Sequence, residues 1–187
     1  HRGAGCGAVP AEVCGAEEVK DHTEENHNIN PMEAITEAQL ELLKYPIGKF
    51  VRGTTAGTAE RIGACIATIE ALPVKLREAV QGLNNMQMDA RYRPGGWTVR
   101  QVVHHYCDSH MNGLARFKWA LTEETPTAKG YKEALWADLA DARTMPVEPS
   151  LQLITGLHAR WVVLLKSMSQ ADFARGFVHA DRQRTIA

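Results

Sequence analysis

A run of apolar residues between Thr98 and residue 123 constrains the fold of this 187-residue chain more than any other feature. Apolar side chains recur in it at i, i+3, i+4 and i+7, which is the spacing of one buried face of a long amphipathic helix. The stripe consists of Val99, Val102, Val103, Tyr106, His110, Leu114, Phe117 and Leu121. The same spacing over about 148–168 predicts a second long helix. Its inner face comprises Leu151, Ile154, His158, Trp161, Val162 and Leu165.

The segments around these two helices complete a mostly α-helical outline. A helical period starts at Thr58 and is interrupted by Pro73, which predicts either two short helices or one bent helix. The remaining expectations are a short helix within 31–44, an extended segment over 45–53, a loop over 91–96, a long crossover loop over 125–149 held to the core by Trp136, and an extended or β-like tail over 173–187. We therefore predict three strongly amphipathic helices, an odd number for a helical bundle.

Composition bounds the class of protein. A net charge of -1 argues against nucleic acid or an anionic membrane as a partner, and no apolar run approaches the length of a membrane span. The cysteines, Cys6, Cys14, Cys65 and Cys107, include no Cys-x-x-Cys pair, and Cys65 and Cys107 fall in apolar helical patterns, which together favour a reducing cytoplasm. Residues 1–44 are expected to be an atypical, largely disordered extension, and 45–187 to be a single domain.

Three of the eight histidines fall within 104–110. On a helical wheel His110 lies inside the apolar stripe, while His104 and His105 lie on its opposite flanks. The flank of His105 also carries Ser109, Asn112 and Arg116, a polar column that either lines a pocket or faces solvent.

The other candidates each have a structural alternative. The pair formed by His104 and Asp108 is predicted to be exposed, and His158 is either a hydrogen-bonded core residue or a ligand. Cys107 lies one turn from His104, but burial would keep its thiol protonated. The chain has no His-Glu-x-x-His motif and no other complete metal motif, so its residues alone assign no catalytic group.

Four stretches of the sequence resemble the YfiT-type branch of the DinB superfamily. They are "YPIGKF", "YRPGGWTVRQVVHHYCDSHMN", "RFKWALTEETPT" and "LHARWVVLLKSMS", and the resemblance runs from about Tyr45 to the last residue. It implies an up-down four-helix bundle and one nickel or zinc ion per subunit, held by three histidines. One of these is the second histidine of the pair, here His105, and the other two form a His-x-x-x-His pair on a final helix. That pair has no counterpart in the sequence up to Ala187, so we expect an incomplete bundle that lacks its fourth helix.

The resemblance also implies a function. Members of the family are described as metal-dependent hydrolases and some as bacillithiol S-transferases, so a divalent ion would activate water or a thiol toward a small-molecule substrate. His105 is the predicted metal ligand, and Ser109, Asn112 and Arg116 are the predicted pocket lining, with Arg116 suited to an anionic group.

The alternative is a non-catalytic helical module for binding or dimerisation, since loss of the fourth helix would leave apolar faces uncovered. A homodimer would cover them, and could bring His105 of two copies to a metal together with His110 or His158.

Overall fold

The computed structural model describes residues 35–49, 57–179 and 182–185. In chain order its elements are α1 (Glu37–Lys44), α2 (Ala59–Val80), α3 (Asn85–Met88), α4 (Val99–Thr122), β1 (Thr127–Ala128), α5 (Glu133–Ala137), α6 (Ala140–Thr144), α7 (Glu148–Ser167), α8 (Gln170–Phe173), β2 (Gly176–His179) and β3 (Arg182–Thr185). The predicted disordered extension lies outside the described residues up to position 34, and the short helix expected within 31–44 is present as α1. The two long helices expected at 98–123 and 148–168 are confirmed as α4 and α7.

The core lies between α2, α4 and α7, the three long helices of the described residues. One cluster consists of Leu76, Val103, Leu151 and Ile154, and a second consists of Leu114, Trp161, Leu165 and Phe173. All six residues predicted for the inner face of α7 are buried. The mostly helical fold expected from the sequence is therefore confirmed. Among the described residues, no helix is both long and apolar enough to cross a membrane.

Both ends of α4 are fixed by side chains. Thr98 begins the helix with a capping box, because its hydroxyl accepts from the Gln101 backbone N–H while the Gln101 side chain accepts from the Thr98 N–H. At the other end, the Arg175 guanidinium donates to the carbonyls of Ala120 and Glu123. Arg175 therefore satisfies carbonyl groups that a helix C-terminus leaves without partners. These contacts fix the two ends of the helix that carries the paired histidines.

Pro73 lies inside α2 without ending it, so the single-helix alternative is correct. A proline has no N–H, and the carbonyl four residues earlier therefore loses its helical donor. That carbonyl belongs to Ile69, and it accepts a hydrogen bond of 2.6 Å from Nδ1 of His158 on α7. A histidine from the neighbouring helix thus replaces the donor that the proline removes.

The long crossover loop expected over 125–149 is wrong, because the segment contains β1, α5 and α6. Helices this short escape periodicity analysis, since five residues complete little more than one turn. The two helices pack on α4 through the buried Ala137 and Ala142. Trp136 is half-buried and contacts the ring of Tyr131 at 4.5 Å between centroids.

The tail forms β-structure, as its sequence suggested. The order of the sheet is β1-β2-β3, with β1 parallel to β2 and β2 antiparallel to β3. Thr127 pairs with Val178, and Ala128 pairs with His179. The sheet thereby holds His179 beside the segment that leads into α5.

Candidate metal and substrate site

His104 is a structural residue. Its ring is buried, with Nε2 at 3.1 Å from the Met145 carbonyl and Nδ1 at 2.8 Å from the Ser150 hydroxyl. A carbonyl only accepts, so Nε2 carries the proton and Nδ1 accepts from Ser150. The prediction that His104 and Asp108 form an exposed pair is wrong, because the ring is drawn inward to join α4 to the start of α7. Both of its nitrogens are occupied.

His110 and His158 form a second internal connection. Nδ1 of His158 donates to Ile69, so its Nε2 accepts from Nδ1 of His110 at 2.7 Å. Burial lowers the pKa of His158, and burial together with the neighbouring His158 and His105 lowers the pKa of His110 to about 4. Both rings are therefore neutral at pH 7. His158 has no lone pair left for a metal ion in this arrangement, which leaves only Nε2 of His110 open.

His105 differs from the other three helical histidines. It is half-buried, its ring lies 4.7 Å from the Trp97 ring between centroids, and neither nitrogen makes a hydrogen bond within the described residues. Asp108 lies close enough for the imidazole to lower its carboxyl pKa, although burial and the neighbouring Asp141 raise that pKa overall. His105 is thus oriented by an aromatic neighbour while its lone pair stays available.

The polar column of α4 is divided between two roles. The Asn112 amide donates to the carbonyl of Asp108 at 2.8 Å, so this side chain folds back on its own helix. Ser109 and Arg116 instead lie close enough to Tyr131, which precedes α5, to influence the pKa of its phenol. Burial raises the pKa of Tyr131, while the Ser109 side chain and the charge of Arg116 act to lower it. The structure therefore brings two of the three predicted lining residues to a common neighbour.

Sequence reasoning missed Trp97, Asp108 as a neighbour of His105, and Tyr131. The signal for Tyr131 was an aromatic residue next to Gly130 in a segment interpreted as a loop. Periodicity does not reveal such a residue, because its position depends on how the α5 segment folds back onto α4.

The donor set around His105 is incomplete in the part of the chain that the structure describes. No group of three histidine, cysteine, aspartate or glutamate side chains is close enough there to hold a metal ion. Catalytic zinc-type sites use three protein ligands. The described residues therefore do not by themselves fit a divalent ion, and His105 supplies at most one ligand with Asp108 as its acidic neighbour.

The two described cysteines have opposite environments. Cys107 is buried, and burial with the neighbouring Asp108 raises the pKa of its thiol. The expected burial of Cys107 is confirmed. Cys65 is exposed on α2, contrary to the apolar environment that the sequence suggested for it.

A polar cavity of about 230 Å³ lies near the start of α4, and its lining contains no histidine. Its lining consists of Asp89, Arg91, Thr98, Gln101, Asp138 and Arg143. Asp89 is engaged by the buried Arg100 at 2.8 Å, and the Gln101 amide donates to the Ala137 carbonyl. These groups connect α4 to neighbouring segments, so the cavity is bounded by structural contacts.

Comparison with known proteins places this architecture in a family. The sequence pattern of the DinB superfamily matches residues 68–187. A protein of Geobacillus thermodenitrificans named "Putative metal-dependent hydrolase" is 52% identical over 133 residues, which cover 71% of this chain and 74% of the relative. "Putative metal-dependent hydrolase YfiT" of Bacillus subtilis is 44% identical over 144 residues, covering 77% of this chain and 80% of the relative.

A solved structure agrees with these sequence matches. It is described as "YfiT from Bacillus subtilis is a probable metal-dependent hydrolase with an unusual four-helix bundle topology", and it superposes with a TM-score of 0.74 at 44% identity. The match covers 78% of this chain and 83% of that structure. Sequence and structure lead to the same assignment: the chain belongs to the DinB superfamily.

Proposed function

We propose that this chain is a metal-dependent hydrolase of the YfiT type in which His105 is one ligand of a divalent ion, zinc or nickel. The observation that carries the proposal is which histidine ring nitrogens already make hydrogen bonds within the protein. His104 and His158 commit both nitrogens to protein hydrogen bonds, whereas His105 is half-buried and commits neither to any group in the described part of the chain. The similarity to relatives named for metal-dependent hydrolysis supports the reaction class.

The described residues supply His105 and its neighbours but not a complete ligand set. They hold no group of three donors, so further ligands would have to come from groups outside them. Trp97 orients the imidazole of His105 through its ring contact. Asp108, whose pKa is raised, is the acidic group best placed to exchange a proton beside it.

Metal content tests the proposal without an activity assay. Purified protein is loaded separately with zinc and nickel, dialysed and measured by inductively coupled plasma mass spectrometry. We expect the wild type to retain more ion than His105→Ala, and the control His104→Gln on the same helix, whose ring nitrogens are both occupied in the wild type, to retain as much as the wild type. Equal metal content in wild type and His105→Ala, or none in the wild type, would overturn the assignment of His105.

A non-catalytic role in dimerisation has one observation in its favour. Leu153 and Val163 lie on the outer side of α7 and are 53% and 71% exposed. Each of these exposed apolar side chains is surface that another chain would cover on association. Light scattering during size-exclusion chromatography tests this role: a dimer that Val163→Glu converts to a monomer supports it, and a monomeric wild type rejects it.

A further inference from the structure

Three buried polar atoms near the C-terminal half of α4 have no hydrogen-bond partner among the described residues. They are Nε of Arg116, the hydroxyl of Tyr131 and Nε2 of His179. Buried polar atoms are nearly always satisfied, so each exception requires an explanation. Nε of Arg93 and Nε1 of Trp161 are also without a partner among the described residues, so a missing partner alone does not mark a site.

The first two atoms belong to one cluster. Ser109 and Arg116 are seven residues apart on the same face of α4, and both act on the phenol of Tyr131. Trp136 contacts the ring of Tyr131 and limits its movement. His179 is held next to this segment, since its Nε2 lies 3.5 Å from the position that a Cβ on Gly130 would occupy.

The charge of Arg116 is not neutralised by an ion pair within the described residues. By contrast, Arg77, Arg100 and Lys166 each contact a carboxylate at 2.8 Å. Burying the Nε–H of Arg116 without a partner is costly, and an anion that accepts from it would offset that cost. The negative charges of Asp108 and Glu133 also raise the pKa of the Tyr131 phenol, so the surroundings of the cluster are not uniformly positive. An anion would therefore have to be held by short contacts to Arg116.

We propose that Arg116 and Tyr131 bind an anionic group of the substrate, a carboxylate or a phosphate. The planar guanidinium matches the two oxygens of either group, and the phenol supplies a further donor. The polar column continues from this cluster to His105. Ser109 lies about one turn further along α4, about 6 Å from His105 along the helix axis. The substrate would therefore carry its anionic group on one side of the bond that reacts near His105, a statement that rests on the proposed function.

Anion binding is measured on chelator-treated protein, so that no metal contributes. Inorganic phosphate and succinate are titrated separately at constant ionic strength, with sodium chloride as the reference salt, and binding is followed by thermal unfolding and intrinsic fluorescence. For the wild type we expect a roughly millimolar Kd for at least one anion, which corresponds to a small number of charged hydrogen bonds. Binding of only one anion identifies the substrate class as phosphate or carboxylate.

Variants decide whether the cluster is responsible. Arg116→Gln is expected to weaken binding at least tenfold, and Tyr131→Phe about fivefold, because the latter removes a single hydrogen bond. The matched control Arg160→Gln, at an exposed position on α7, should leave Kd unchanged. His105→Ala should also bind the anion normally, so loss of the metal site and loss of the anion site are separate results. Equal affinity in wild type and Arg116→Gln, or no binding of either anion, would overturn the inference.

Discussion

The contact between Gly113 and Trp161 allows α4 and α7 to approach closely, and it makes a quantitative prediction. A Cβ added at Gly113 would lie 2.8 Å from Cη2 of Trp161 and 3.5 and 3.6 Å from two further ring atoms. Carbon atoms prefer separations of about 3.5–4.0 Å, so the ring would have to move by roughly 0.7 Å. Trp161 is 6% exposed and is held by edge contacts to Phe117 and His110 at 5.2 and 5.8 Å between ring centroids.

Two opposing terms set the size of the effect. Replacing glycine by alanine inside a helix gains about 1 kcal/mol of intrinsic helix propensity. Overpacking a rigid core costs about 1–3 kcal/mol, and the neighbours of Trp161 leave it little room to relax. We therefore expect Gly113→Ala to lower the free energy of unfolding by about 1 kcal/mol. The matched control is Gly156→Ala on α7, where no described residue lies within 4 Å of the added Cβ, and it should raise that free energy by about 0.5–1 kcal/mol.

Urea denaturation followed by circular dichroism measures both variants, with the m-value as a check on the unfolded state. The two free energies should differ by about 2 kcal/mol, or roughly 4–8 °C in Tm for a chain of this size. In a Trp161→Phe background, which removes the clashing atom, Gly113→Ala should become neutral or stabilising. If Gly113→Ala stabilises the wild type as much as Gly156→Ala does, the packing argument is refuted.

Three further predictions concern protonation, capping and thiol reactivity. The pKa of His110 is about 4 in the folded protein against 6.5 for an unperturbed ring, so the unfolded chain binds the proton first as pH falls. Stability should therefore be complete above pH 6.5 and fall by on the order of 3 kcal/mol toward pH 4, and His110→Gln should flatten that slope in urea titrations. Arg175→Ala should lower the free energy of unfolding by about 1–2 kcal/mol in the same assay, because carbonyls at the C-terminus of α4 lose their donors. Peptide mapping after alkylation should find Cys65 modified at least tenfold faster than Cys107, and similar rates would contradict the burial of Cys107.

The sequence predicted the parts of the fold that depend on a repeating pattern. The inner face of α7 was identified residue by residue, because apolar positions at helical spacing have one common cause, burial against a neighbouring helix. The limits of α4 were found within one residue for the same reason, with Thr98 supplying a recognisable cap. The polar column was also visible as a column, although its spacing alone left open whether it lines a pocket.

Features that depend on three-dimensional neighbours were not predictable. His104 and His105 flank the same stripe, and only the packing of the α6–α7 connection against α4 decides that His104 is buried. Tyr131 is a comparable case, since its approach to Ser109 and Arg116 depends on two helices too short to leave a periodic signal. The environment of Cys65 was predicted wrongly because the N-terminal half of α2 is covered on one side only.

The hydrogen bond from His158 to the Ile69 carbonyl means that α2 is not an autonomous helix. A peptide containing only this segment should fray around Pro73, since the donor that replaces the missing N–H belongs to a chain segment almost ninety residues later. We therefore expect α2 to be fully helical only when α7 is packed against it. In relatives with another residue in place of Pro73, the backbone N–H would be restored and the Ile69 carbonyl would not need a donor from His158. We therefore expect Pro73 and His158 to occur together.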